Sequence, residues 1–150
     1  MNAKSARIVA VVAALLFAGS ALATTTYTDN FTGASSSLNW KALDYACLTA
    51  GNGSGSIPAC AQYHDSVGNG ALRLTPAQND QTGAILSDFS FPSSQGMQVT
   101  FTTYTYGGNY GGTAHDGADG ISFFLTDGSK PLPDTAGALG GSLGYSCSNV

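Results

Sequence analysis

The sequence predicts an all-β fold, an antiparallel β-sandwich, on three observations. No long window places apolar residues at helical spacing, and strong helix formers are scarce. Short runs alternate apolar and polar residues instead, rich in β-branched and aromatic types. Gly, Asn, Asp and Pro separate these runs at short intervals, as in sandwiches.

Residues 1–23 stand apart. Lys4 and Arg7 make a basic start, Ile8 to Phe17 is a short apolar run, and Ala21-Leu22-Ala23 is a small-x-small cleavage site. This is the pattern of a secretory signal peptide, with the cut after Ala23. Residues 24–150 then suit one domain with a modest core. No later stretch is apolar enough to cross a membrane. The expected location is secreted, periplasmic or cell-surface.

The predicted strands run in order. Tyr27 to Phe31 opens the domain, and Leu38 to Leu43 carries Trp40, the only tryptophan. Ala71 to Thr75 alternates, as does Gly83 to Phe91 before Pro92 ends it. Met97 to Tyr106 is the clearest run, with Met97, Val99 and Phe101 on one face. Ile121 to Leu125 is short and nearly all apolar, which predicts burial on both faces, with Phe123 and Phe124 in the core.

Charge narrows the function classes. All nine acidic residues are Asp. Beyond the leader only Lys41, Arg73 and Lys130 are basic; three cations against nine aspartates give −6. Phosphate contacts need Lys and Arg, so nucleic acid is a poor partner. Aromatic and alternating apolar residues argue against disorder.

Three cysteines fit an oxidising compartment. Cys47 and Cys60 flank a Gly/Ser-rich loop, 51–56, and are read as a local disulfide. Cys147 has no partner left, so its partner is expected outside this chain and the domain is expected to continue past Val150. His64 and His115 are scattered without a C-x-x-C pair, so a zinc site is not expected, and both read as solvated loop residues. Asn30-Phe31-Thr32 and Asn52-Gly53-Ser54 match the glycosylation acceptor.

The stretch with chemical content is Gly117-Ala118-Asp119-Gly120-Ile121-Ser122-Phe123-Phe124-Leu125, followed by Gly140-Gly141-Ser142-Leu143-Gly144-Tyr145. Asp119 is one carboxylate at the entry to an apolar run, with glycines that leave room for a ligand. The Gly140-Gly141 pair offers bare backbone N–H groups. A sugar diol needs both an acceptor and donors, so Asp119, Gly140 and Gly141 are the candidate carbohydrate site. Tyr104, Tyr106, Tyr110 and Tyr145 are candidate stacking faces. The competing reading of Asp119 is an ordinary Asp-Gly turn. Asp116 and Asp127 are within reach of a metal in principle, but lone loop aspartates more commonly cap or solvate.

These two motifs, in this order with Pro131 and Pro133 between them, resemble those of the L-type lectins, the legume-lectin-like family. The likeness spans Leu72 to Tyr145 and, less closely, Tyr27 to Asn39. It implies a concanavalin-like β-sandwich of which this chain is an incomplete N-terminal portion. It also implies sugar binding through the Asp119 side chain and a Gly140 or Gly141 N–H, and a cis Ala118–Asp119 bond held by calcium. The calcium ligands are expected beyond residue 150, with no metal ligand in this chain. The Cys47…Cys60 insert and the ending Gly144-Tyr145-Ser146-Cys147-Ser148-Asn149 resemble lectin-type domains at the N-terminus of bacterial pilus-associated adhesins, which implies a role in adhesion.

Two rival functions remain. Sandwich-fold glycoside hydrolases flank the scissile bond with two carboxylates. No strand here carries such a pair, and neither histidine has a Ser/His/Asp context. No enzyme activity is therefore expected. The other rival is a structural surface domain that keeps the fold without binding sugar.

Overall fold

The computed structural model describes residues 25–62, 64–94, 96–105 and 120–145. The expected leader, Asp116, His115, the Ala118–Asp119 bond and Cys147 lie outside these residues. Among the described residues are four strands: β1 (Trp40–Asp44), β2 (Cys47–Leu48), β3 (Leu72–Arg73) and β4 (Gly83–Ser87). They form two small antiparallel sheets, β1 with β4 and β2 with β3. The only regular helix among the described residues is a single 3-10 turn, Gly140–Ser142. The chain is β-rich, as its patterning predicts.

β1 meets β4 with Trp40 opposite Ser87 and Asp44 opposite Gly83. Leu43 and Leu86 from this sheet enter the core, 3% and 7% exposed. Asp44 adopts a left-handed φ of 51°, Ala46 N–H donates to the Leu43 carbonyl, and the chain turns into β2. Asp and Asn tolerate this conformation better than most residues.

Leu48 is the centre of the molecule, with no exposed surface. Its backbone is held on two sides. It pairs with Leu72 of β3. On the other side its N–H donates to the Pro58 carbonyl at 2.9 Å, and its carbonyl accepts from Cys60 N–H at 3.0 Å. The Cys47–Cys60 disulfide closes the same loop, with Cα atoms 5.0 Å apart. Ile57 and Cys60 lie beside Leu48 among the most deeply buried side chains. Covalent, backbone and apolar constraints therefore fall on one short segment.

Glycine is required where β4 begins. A Cβ on Gly83 would run into the carbonyl of Leu74. That close approach lets residues 74 to 82 fold back between β3 and β4.

An aromatic cluster ties the N-terminal segment to this framework. Tyr27 and Phe89 have ring centroids 4.8 Å apart, Phe31 and Trp40 5.7 Å, and Trp40 and Phe89 5.9 Å. Trp40 is a half-buried packing residue between Phe31 and Phe89, outside the buried core. Tyr27 to Phe31 itself forms no ladder. It is held by side chains, with Asp29 as the hub.

Two further expected strands are corrected, besides Tyr27 to Phe31. Residues 97–105 and 120–127 run without turn or bend, yet neither belongs to a sheet. An alternating segment becomes a strand only beside a backbone that supplies its N–H and C=O partners. Among the described residues, no backbone hydrogen bond joins either segment to a neighbouring segment. Phe123 is corrected with them, being 55% exposed rather than core.

Candidate functional site

The two motifs separated by some twenty residues come together in space. Ser122 Oγ donates to the Leu143 carbonyl at 3.2 Å. The rings of Phe124 and Tyr145 lie 5.0 Å apart. A Cβ on Gly120 would meet Leu143 Cδ2 at 3.8 Å. Segment 120–125 thus lies along segment 143–145. Ser122 and Phe124 face it, and Ile121, Phe123 and Leu125 face solvent.

The glycine motif is a closed loop. Gly137 N–H donates to the Gly144 carbonyl at 2.7 Å, and Gly144 N–H donates to the Ala138 carbonyl at 3.0 Å. Inside it, Leu143 N–H reaches the Gly140 carbonyl at 2.9 Å and Tyr145 N–H reaches the Ser142 carbonyl at 3.0 Å. Gly140 and Gly144 have φ values of 72° and 68°, which glycine adopts without strain. Gly140 and Gly141 open the 3-10 turn, so the turn supplies no acceptor for their N–H groups. Nothing lies within 4 Å of a Cβ placed on either residue. Bare donors on an unobstructed, internally braced loop can receive a hydroxyl oxygen.

Asp119 lies outside the described residues, and its successor Gly120 is the first residue seen. Gly120 has φ 130°, a conformation L side chains rarely adopt. The glycine after Asp119 is therefore a backbone requirement as well as a source of space. Of the tyrosines, Tyr145 is at the site, and Tyr104 is 80% exposed with no ring contact among the described residues. Tyr106 and Tyr110 fall outside the described residues. Asp127 is the cap of a turn: its Oδ1 accepts from Ser129 N–H at 2.9 Å and Ser129 Oγ at 2.8 Å. These bonds hold its carboxyl below the usual range, the backbone N–H contributing most.

Beneath the site, a gap of about 230 Å³ separates Leu43 and Ala84 of the β1–β4 sheet from Phe124, Pro133 and Tyr145. A second, open cleft of about 630 Å³ runs beside β1, bounded by Trp40, Ser56, Asp88, Leu132 and Asp134. Lys41 Nζ crosses it to Asp134 Oδ1 at 2.6 Å and the Leu132 carbonyl at 3.3 Å. The hydrogen bond and charge of Lys41 lower the Asp134 pKa. Sequence reasoning gave no sign of this pair, since 93 positions separate the partners.

Among the described residues, no three His, Cys, Asp or Glu side chains converge. No helix of the described residues is long and apolar enough to cross a membrane. Compared with protein-family models, curated proteins and solved structures, the chain matches none.

Proposed function

We propose that this chain is a secreted or cell-surface carbohydrate-binding domain of the L-type lectin kind, built on a concanavalin-like sandwich and acting in glycan recognition rather than catalysis. The observation that carries the reading is the contact of segment 120–125 with segment 143–145. It brings the residue after Asp119 against the loop whose Gly140 and Gly141 N–H groups donate to no partner among the described residues.

In this reading the Asp119 carboxylate accepts from two neighbouring sugar hydroxyls. A Gly140 or Gly141 N–H donates to a hydroxyl oxygen of the same ring. A charged acceptor makes the stronger of these bonds, about 1.5–3 kcal/mol net. Tyr145, 61% exposed at the edge of the loop, offers an apolar ring face to sugar C–H groups. Calcium has no part in this step as drawn.

A glycan array probed with the secreted, disulfide-intact chain tests the proposal. Selective binding to a defined set of glycans supports it. Absence of binding favours a structural surface domain, and release of reducing sugar favours a hydrolase.

A further inference from the structure

Asparagine followed by glycine is chemically labile. The glycine nitrogen can close a five-membered ring on the side-chain amide, and no Cβ crowds its approach. The chain holds two such pairs, Asn52-Gly53 and Asn69-Gly70, and the fold treats them oppositely. Asn52 Oδ1 accepts the Ser54 N–H at 2.9 Å and the Ser54 hydroxyl at 2.6 Å. These bonds close an Asx turn, which folds Asn52 Cγ over the Gly53 nitrogen. Among the described residues no hydrogen bond engages the Gly53 N–H. Nothing lies within 4 Å of a Cβ placed on Gly53, and both residues are exposed. Gly70, by contrast, is buried. Its N–H donates to the Thr32 carbonyl at 3.3 Å, and a Cβ on it would strike Ala50. Asn69 Nδ2 is held as well, donating to Ser66 Oγ at 3.0 Å. Asn30 completes the comparison. Its Oδ1 accepts the same two donors from Thr32, but the next nitrogen belongs to Phe31 and donates to Asp29 Oδ1.

We propose that Asn52 is a site of spontaneous modification, converted to aspartate and isoaspartate through a succinimide, with water as the only co-reactant. Solvent hydroxide takes the Gly53 amide proton, and the nitrogen attacks Asn52 Cγ. The charge that develops on Oδ1 meets the Ser54 N–H and O–H, two donors already in place. The Cγ–Nδ2 bond breaks, and Nδ2 leaves as ammonia with a proton from water, which regenerates hydroxide. Water then opens the ring at either carbonyl. Nothing is oxidised or reduced: one amide and one water become one carboxylate and one ammonium ion. Each event adds a negative charge to a chain already at −4. Opening at the backbone carbonyl also lengthens, by one backbone atom, the loop that the Cys47–Cys60 bond closes.

Incubation of the secreted, disulfide-intact chain at mildly alkaline pH, followed by peptide mass spectrometry, tests this. Unfolded in guanidinium chloride, Asn52 and Asn69 should convert at similar rates, since both precede glycine. In the folded chain Asn52 should outpace Asn69 at least about tenfold, one decade of rate. Ser54→Ala removes one of the two donors and should slow Asn52 about two- to tenfold in the folded chain, the worth of one hydrogen bond, with the unfolded rate unchanged. Far-UV circular dichroism and an intact Cys47–Cys60 bond show that this variant still folds. A folded-state ratio below tenfold, an Asn52 that survives folded while it converts unfolded, or a Ser54→Ala chain that converts as fast as wild type would each overturn the proposal.

Discussion

The indole N–H of Trp40 donates to Asp29 Oδ2 at 3.0 Å. The same oxygen accepts the backbone N–H groups of Ser37 and Leu38, at 3.1 and 3.2 Å, and the other carboxylate oxygen accepts Phe31 N–H at 3.2 Å. One carboxylate thus fastens residues 29–38 to the first residue of β1 without any strand pairing. Asp29→Ala leaves these half-buried donors unpaired and should cost about 1–3 kcal/mol. Urea unfolding measures the loss, and Trp40 fluorescence should shift to the red. An unchanged midpoint would show that solvent replaces the carboxylate freely.

The core is small, so its clamp matters. Replacing Cys47 and Cys60 by Ser should lower stability by about 3 kcal/mol, the chain-entropy value for a loop of this length. Leu48→Ala should cost about 2–5 kcal/mol, because Leu48 has no exposed surface. The two losses should fall short of additive, since both act on one segment. Denaturant midpoints of the three variants decide.

Gly83→Ala adds a methyl group against the Leu74 carbonyl, which is backbone and cannot step aside. A loss of about 1–3 kcal/mol is expected. A neutral substitution would mean that residues 74 to 82 shift without cost.

The Lys41–Asp134 contact makes a pH prediction. Asp134 has a lowered pKa in the folded chain, so its contribution is complete above the ordinary value of 3.8 and is lost as pH falls through the lowered one. Asp134 is 95% exposed, so the effect is small and weakens with salt. Thermal melts of wild type and Asp134→Asn should differ slightly at neutral pH and low salt, and coincide at low pH.

Much of the fold was legible from local pattern. Ala71–Thr75 and Gly83–Phe91 each contain a strand, Leu38–Leu43 overlaps β1, and the loop-flanking cysteines pair. The misses share a cause. Period two states which side chains share a face, but not whether a neighbouring backbone supplies hydrogen bonds, so residues 97–105 and Ile121–Leu125 carry the pattern without a sheet among the described residues. The hub at Asp29 had a readable sign. Asp29-x-Phe31 is an Asx turn, and so are both glycosylation-type matches: Asn52 Oδ1 accepts Ser54 N–H at 2.9 Å, and Asn30 Oδ1 accepts Thr32 N–H at 3.2 Å. At the candidate site, the sequence marked the two motifs, and folding supplied what spacing cannot: Ser122 beside Leu143, and Phe124 on Tyr145.

In the proposed function, sugar binding turns on Asp119. Calorimetric titration of the wild-type chain and Asp119→Asn, against a glycan identified by array, tests it most directly. Asparagine keeps the shape of the side chain but removes its charge and half its acceptor capacity. The account predicts binding weakened by about ten- to a hundredfold, at 1.4 kcal/mol per decade; equal affinities would contradict it and leave Asp119 as a turn residue only.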